Sequence, residues 1–253
     1  MGEFVKGEKN PKILGIGECP TEGMRHGYVV SSSLVTASIE KAVGQAEKLS
    51  GIRIRRAYIA IGGVTLRGSI APGVAIVSKA DGEVTILDVN KALEECEESI
   101  SLGNKKVIQV SPVAFRLDAK EVLGRPEGMH GNKLEARAMV VTVSNQHLDE
   151  LVGAIADAGI TPIDLIVSPL AASTICLSEK QKIVGSALVN IGSETVTLSV
   201  FENNALIALH TFSIGSSDIT NDVALGLKIT LEEAESLKLG ATNHEYSKKK
   251  LDE

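Results

Sequence analysis

Apolar and polar positions change period several times along the chain, and the changes mark its elements. Ser186 to Gly215 carries Val189, Ile191, Val196, Leu198, Val200, Leu206, Ile207 and Leu209, alternating or clustered with small and polar residues. Gly192-Ser193-Glu194 and Glu202-Asn203-Asn204 punctuate this run, which predicts two or three consecutive strands joined by tight turns. Upstream, Leu34, Ile39, Val43, Ala46 and Leu49 recur at helical spacing from Ser31 to Ser50, with serines to cap the start and Gly51 to end it. The apolar run within Arg53 to Gly63 reads as a strand buried on both faces, and Lys12 to Gly17 as a shorter strand. A helix lying between strands in this order predicts a mostly parallel sheet.

From Val64 the pattern becomes β-rich with turns. Leu66 to Val77 carries Gly68, Pro72 and Gly73 among β-formers, Leu87 to Leu102 reads as a helix with Asp88 at or near its cap, and Leu134 to Val143 as a strong strand. Lys105 to Leu117 is a strand broken at Pro112, which cannot donate to a ladder and so predicts an edge or a bulge. Leu123 to Asn132, with three glycines and a proline, reads as a mobile loop. After this stretch helical spacing returns over Asn145 to Gly159, followed by a strand at Pro162 to Val167 and a short helix at Pro169 to Cys176. Beyond the central hairpin, Gly215 to Leu225 and Thr230 to Leu239 read as helices.

Composition narrows the picture. At 253 residues, with 43% hydrophobic and 23% charged residues, the chain can bury one large or two ordinary cores. Aromatic residues make up only 3%, with no Trp, so the interior is built from Val, Ile, Leu and Ala, which favours an α/β architecture. The net charge of -6 offers no basic face for nucleic acid. Cys19, Cys96 and Cys176 are widely spaced, in neither a zinc nor a disulfide pattern, and point to a reducing, cytoplasmic setting. No signal peptide or apolar run of membrane-spanning length is present, and Lys248 to Lys250 have no apolar face beside them, so no membrane anchor is expected from this sequence.

Candidate chemistry is sparse. Gly15-x-Gly17 lacks the third glycine of a dinucleotide fingerprint. Glu94, Glu95, Glu97 and Glu98 read as a solvated acidic helix face rather than paired catalytic carboxylates, and His130 as a solvated loop residue. The tip of the hairpin, with Gly192, Ser193, Thr195 and Thr197, has the amides and hydroxyls to meet an anion such as a nucleotide phosphate.

Taken together, ILGIGECPTEGMRHGYVV, RAYIAIGG, LEARAMVVTVSNQHLDELVGAIADAGITPIDLIVSPLAAS, ALVNIGSETVTLSVFENNAL and GSSDITNDVALGLKITLEEAESLK resemble the bacterial cell-division FtsA family. Its members are actin-like ATP-binding proteins that tether the FtsZ filament to the membrane. The resemblance implies an α/β, actin-like (ribonuclease H-like) core with a small inserted α+β subdomain of SHS2 type, termed 1C. On that frame residues 1–11 are a disordered lead or tag, 12–63 the first part of subdomain 1A and 64–143 the insert. Residues 144–182 are the second part of 1A, and 183–253 an incomplete start of domain 2A.

The family's second phosphate hairpin resembles D-I-G-G-G-T, and the run here is Asn190-Ile191-Gly192-Ser193-Glu194-Thr195. Asn190 lacks the carboxylate that helps place Mg2+ and water, and Glu194 sets a negative charge beside the phosphate position. The resemblance thus implies a nucleotide site of Asn190, Gly192, Ser193 and Thr195, then Gly215 and Ser216 at the next phosphate-facing turn, with Glu235 and Lys238 facing the nucleoside. ATP and Mg2+ are the implied cofactors, in a site that is degraded or incomplete. The family's first hairpin, adenosine motif and C-terminal amphipathic helix find no match, so the chain reads as truncated at both ends.

Two functions follow from the resemblance. One is a divisome adaptor that binds FtsZ, later division proteins and itself, and sits at the inner face of the membrane or septum through its partners. The other is a working Mg-ATPase of the actin, sugar-kinase and Hsp70 superfamily. The missing hairpin and Asn190 favour the adaptor, with at most slow ATP turnover and weak or absent ATP binding. The pilus-assembly relatives of the family share the core and a comparable insert and form a third alternative.

Overall fold

The computed structural model describes residues 1–7 and 11–240. The polar tail from 241 onward, with Lys248 to Lys250, lies outside the described residues. The chain opens on β1 (Gly2–Glu3), which pairs antiparallel with β2 (Lys12–Ile13). Part of the segment expected to be a disordered lead is thus paired into the fold, and the Met1 ammonium donates to the Gly15 carbonyl at 2.6 Å.

The strand expected over Lys12 to Gly17 ends at Ile13. The physical reason lies in α1 (Ser32–Ser50), whose backbone runs against the next residues. A Cβ on Gly17 would stand 1.7 Å from the Ala42 carbonyl oxygen, so this glycine is there for close approach to a helix and not for a dinucleotide. Between them β3 (Met24–Arg25) and β4 (Tyr28–Val29) form a small hairpin. Helix α1 starts after Ser31 and ends at Gly51 as its pattern requires. Its core face is narrower than expected, because Val35 and Ala46 are buried while Leu49 is 68% exposed.

Next comes β5 (Arg56–Ile61), which pairs in parallel with β10 (Thr161–Val167). This is the one parallel pair among the described residues, so the mostly parallel sheet does not form here. All other pairs are antiparallel, most of them between strands consecutive in the chain, which a short turn can join. Strand β5 alternates instead of being buried on both faces, and Tyr58 on its outer face is 65% exposed.

The insert is a four-stranded antiparallel sheet in the order β6 (Arg67–Ile76), β9 (Lys133–Ser144), β7 (Lys105–Leu117), β8 (Lys120–Val122), with α2 (Ile86–Glu98) on one face. The ladder between β7 and β9 shifts register between Pro112 and Ala114, so of the edge or bulge that the proline predicts the structure has the bulge. The stretch from Leu123 to Asn132 is more ordered than a mobile loop. Gly128 and Met129 exchange main-chain bonds with Val84, and Pro126 is fully buried. His130 is exposed, as are Glu94, Glu95 and Glu98 of the acidic helix face.

Strand β9 explains how the halves join. Leu134, Ala136, Ala138 and Val140 face α2, and the intervening Met139 and Val141 pack with Phe201, Leu206 and Leu209 from the second half of the chain. A period of two with both faces apolar gives a strand buried on both sides. Then α3 (Asn145–Asp157), β10, α4 (Ser168–Cys176) and α5 (Glu179–Val184) lead to the meander β11 (Ser186–Ile191), β12 (Val196–Glu202) and β13 (Ala205–Phe212). Asn203 and Asn204 both take left-handed φ, 50° and 63°, in the two-residue turn between β12 and β13, a conformation asparagine tolerates. Helices α6 (Ser216–Leu227) and α7 (Leu231–Lys238) close the described chain.

Candidate functional site

The hairpin tip between β11 and β12 is a turn closed by the Gly192 N–H donating to the Thr195 carbonyl at 2.9 Å. The first turn of α6 is docked directly on it. Ser216 N–H donates to Gly192 O at 2.9 Å and Ser217 N–H to Ser193 O at 2.8 Å. The hydroxyls of Ser193 and Ser217 meet at 2.6 Å. Such an approach requires a residue with no side chain at Gly215, where a Cβ would fall 2.3 Å from the Ser193 carbonyl oxygen. Asp218 then reaches back to accept the Gly215 N–H at 2.7 Å, capping the helix.

Beneath this turn α7 is stitched to α6. Thr220, buried, has its hydroxyl 2.5 Å from Glu235 Oε2. Lys238 Nζ donates to Ser216 O at 3.1 Å and to Thr220 Oγ1 at 2.8 Å, and pairs with Glu235 at 2.6 Å. The Lys238 ammonium first, and the Thr220 hydroxyl second, hold the Glu235 carboxyl below its ordinary range. A cavity of about 470 Å³, open to one side, is lined by Ser217, Thr220, Asn221, Leu231, Glu232 and Glu235.

Gly192, Ser193, Thr195, Gly215, Ser216, Glu235 and Lys238 are therefore joined in one network of direct hydrogen bonds and short contacts. Asn190 stands apart, exposed on β11 opposite Thr197. Sequence reasoning missed Thr220 and His26. The Glu194 carboxylate, expected to lie against phosphate, is taken up by the His26 N–H at 2.6 Å, while His26 Nδ1 lies 3.0 Å from the Glu194 carbonyl oxygen. A threonine in a helix and a histidine in a turn carry no local signal, and only contact across 15 and 168 positions reveals them.

A nucleotide fits this site only in part. The cavity beside Glu235 has room for a ligand group. On the phosphate side the N–H groups of Gly192, Gly215, Ser216 and Ser217 are all given to protein acceptors, so they do not converge on an empty place. Among the described residues no group of three or more His, Cys, Asp or Glu side chains is gathered that could hold a metal ion.

A parallel pair with crossing helices, a meander whose tip abuts a helix N-terminus, and an SHS2-type sheet between them define an actin-like fold with an inserted subdomain. The solved type IV pilus biogenesis complex PilM–PilN has a chain with the same fold, at a TM-score of 0.60 and 17% identity, covering 87% of this chain and 59% of that one. By sequence the chain is an FtsA-like cell-division protein. The family model of the SHS2 domain inserted in FtsA matches residues 65–142, and that of the cell division protein FtsA matches 187–252. Cell division protein FtsA of Bacillus subtilis is 31% identical over the whole chain, and that of Pseudomonas aeruginosa 28% identical over 94% of it. The chain spans 57% of the length of each.

Proposed function

We propose that this chain serves as a divisome adaptor of the FtsA type, acting through its surfaces, with its nucleotide site held shut. Its partners on this reading are FtsZ, later division proteins and further copies of itself, and they bring it to the inner face of the membrane at the septum. The observation that supports this is the closed tip: four main-chain donors that a phosphate would need are already bonded within the protein. Trading two of them, at Ser216 and Ser217, for a phosphate forfeits about 0.5–1.5 kcal/mol each. That weakens binding by about 5- to 150-fold relative to an open cradle.

The cavity beside Glu235 favours a second reading, in which the tip opens and the protein binds Mg-ATP as a slow ATPase. Titration calorimetry with Mg-ATP on the 253-residue chain separates the two. The adaptor reading expects no heat, or a Kd weaker than about 100 μM. A Kd in the low micromolar range overturns it.

A further inference from the structure

The β3–β4 hairpin touches two places that are far apart in sequence. On one side His26 holds the hairpin tip, its N–H on the Glu194 carboxylate at 2.6 Å and its Nδ1 3.0 Å from the Glu194 carbonyl oxygen. With a carbonyl as acceptor, the ring proton must sit on Nδ1. On the other side the His26 carbonyl accepts the Val64 N–H at 3.2 Å, one residue before the matched span of the insert. The next residue presses on the same strand end: a Cβ on Gly27 would stand 2.4 Å from Gly63 Cα. Two positions on, the Tyr28 ring lies 5.3 Å from that of His147, whose Nδ1 is 2.6 Å from the Thr65 hydroxyl.

His26 itself has φ of 49°, a left-handed conformation that strains a non-glycine residue and persists only where its surroundings hold it. Glu194 and Val64 do so here, from opposite sides. We propose that His26 is a positioning residue that couples the Gly192–Thr195 turn to the root of the insert, with Glu194 as the latch. A ligand that displaces the Glu194 carboxylate from the turn releases His26 and with it the main-chain bond at Val64. Coupling of this kind is reciprocal, so a partner that pulls on the root of the insert loosens the turn. The coupling belongs to the ligand-free protein and stands whether or not nucleotide binds.

Residue-resolved amide hydrogen exchange on the ligand-free 253-residue chain tests it. Losing a charge-assisted hydrogen bond at the latch, Glu194→Ala speeds exchange at the His26 and Val64 amides by about tenfold or more. The central β9 amides Val140 and Val141 keep their wild-type rates. Glu194→Gln, which retains a side-chain oxygen to accept the His26 N–H, restores slow exchange at Val64. An unchanged Val64 rate in Glu194→Ala overturns the proposal. So does a rise of equal size at Val64 and in β9, which reports general loss of stability.

Discussion

The insert should depend on Asp88 more than on any other polar residue it buries. This carboxylate is 2% exposed and accepts three donors: the Ser78 N–H at 2.9 Å, the Thr85 N–H at 2.8 Å and the Thr85 hydroxyl at 2.7 Å. Thr85 returns a bond to the Asp88 N–H, completing a capping box at the start of α2. Burial alone raises its pKa, but the bonds from Thr85 and Ser78 outweigh burial and bring it down to about 2. Asp88→Ala strands the amides of Ser78 and Thr85, each bonded to a charged acceptor in the wild type, while the hydroxyl turns to water. Losing Asp88's half of the capping box and leaving those donors unmet costs about 2–4 kcal/mol.

For a chain of this size that is a fall in melting temperature of about 6–12 °C at the middle of the range. Urea unfolding followed by circular dichroism gives the free energy, and scanning calorimetry the temperature. Because the folded pKa lies below the unfolded one, the contribution is complete above about pH 4 and is lost as pH falls through about 2. Asp88→Ala should therefore flatten the acid limb of the stability curve as well as lower its plateau. A loss under about 1 kcal/mol, with the acid limb unchanged, would refute the reasoning.

Two further outcomes are expected. Gly215→Ala forces a methyl group against the Ser193 carbonyl, a backbone atom that cannot swing away, and should cost about 1–3 kcal/mol in urea while separating α6 from the tip. Amide exchange at Ser216 and Ser217 reports the separation. His147 is buried and its pKa is lowered, by burial first, against the opposing pull of Glu150 and the Gly27 main chain. Its contribution is complete above about pH 6.5 and is lost as pH falls toward its lowered folded value, so the urea midpoint should drop on acidification from pH 7.5 to 5.5. His147→Asn, which cannot titrate, should remove that part of the slope.

Local pattern was enough for the elements whose signals are local. Ser31 and Gly51 bound α1, Pro112 announced the bulge in β7, and Asn203-Asn204 announced the tight turn of the meander, because caps, missing donors and left-handed φ act within a few residues. Resemblance to the FtsA family went further and named the residues that the fold gathers at Gly192–Thr195, Gly215–Ser216, Glu235 and Lys238. What the sequence could not state is how those residues spend their hydrogen bonds. A Gly-Ser-Glu turn reads as an open anion cradle until the first turn of α6 is seen seated on it, and Glu194 reads as a repelling charge until His26 is found beside it.

The same limit explains the misjudged strands. Gly15 and Gly17 follow an apolar start that promises a strand, and only the backbone of α1, 25 residues on at Ala42, shows why the strand stops. Val140 and Val141 read alike in sequence, but one faces α2 and the other packs with Phe201 and Leu209. By itself the sequence determined which segments are helix or strand and where they turn, since those preferences are set by neighbours along the chain. The tertiary structure decided which amides remain free and which charges are paired, because contacts between residues such as 26 and 194 exist only once the chain has folded.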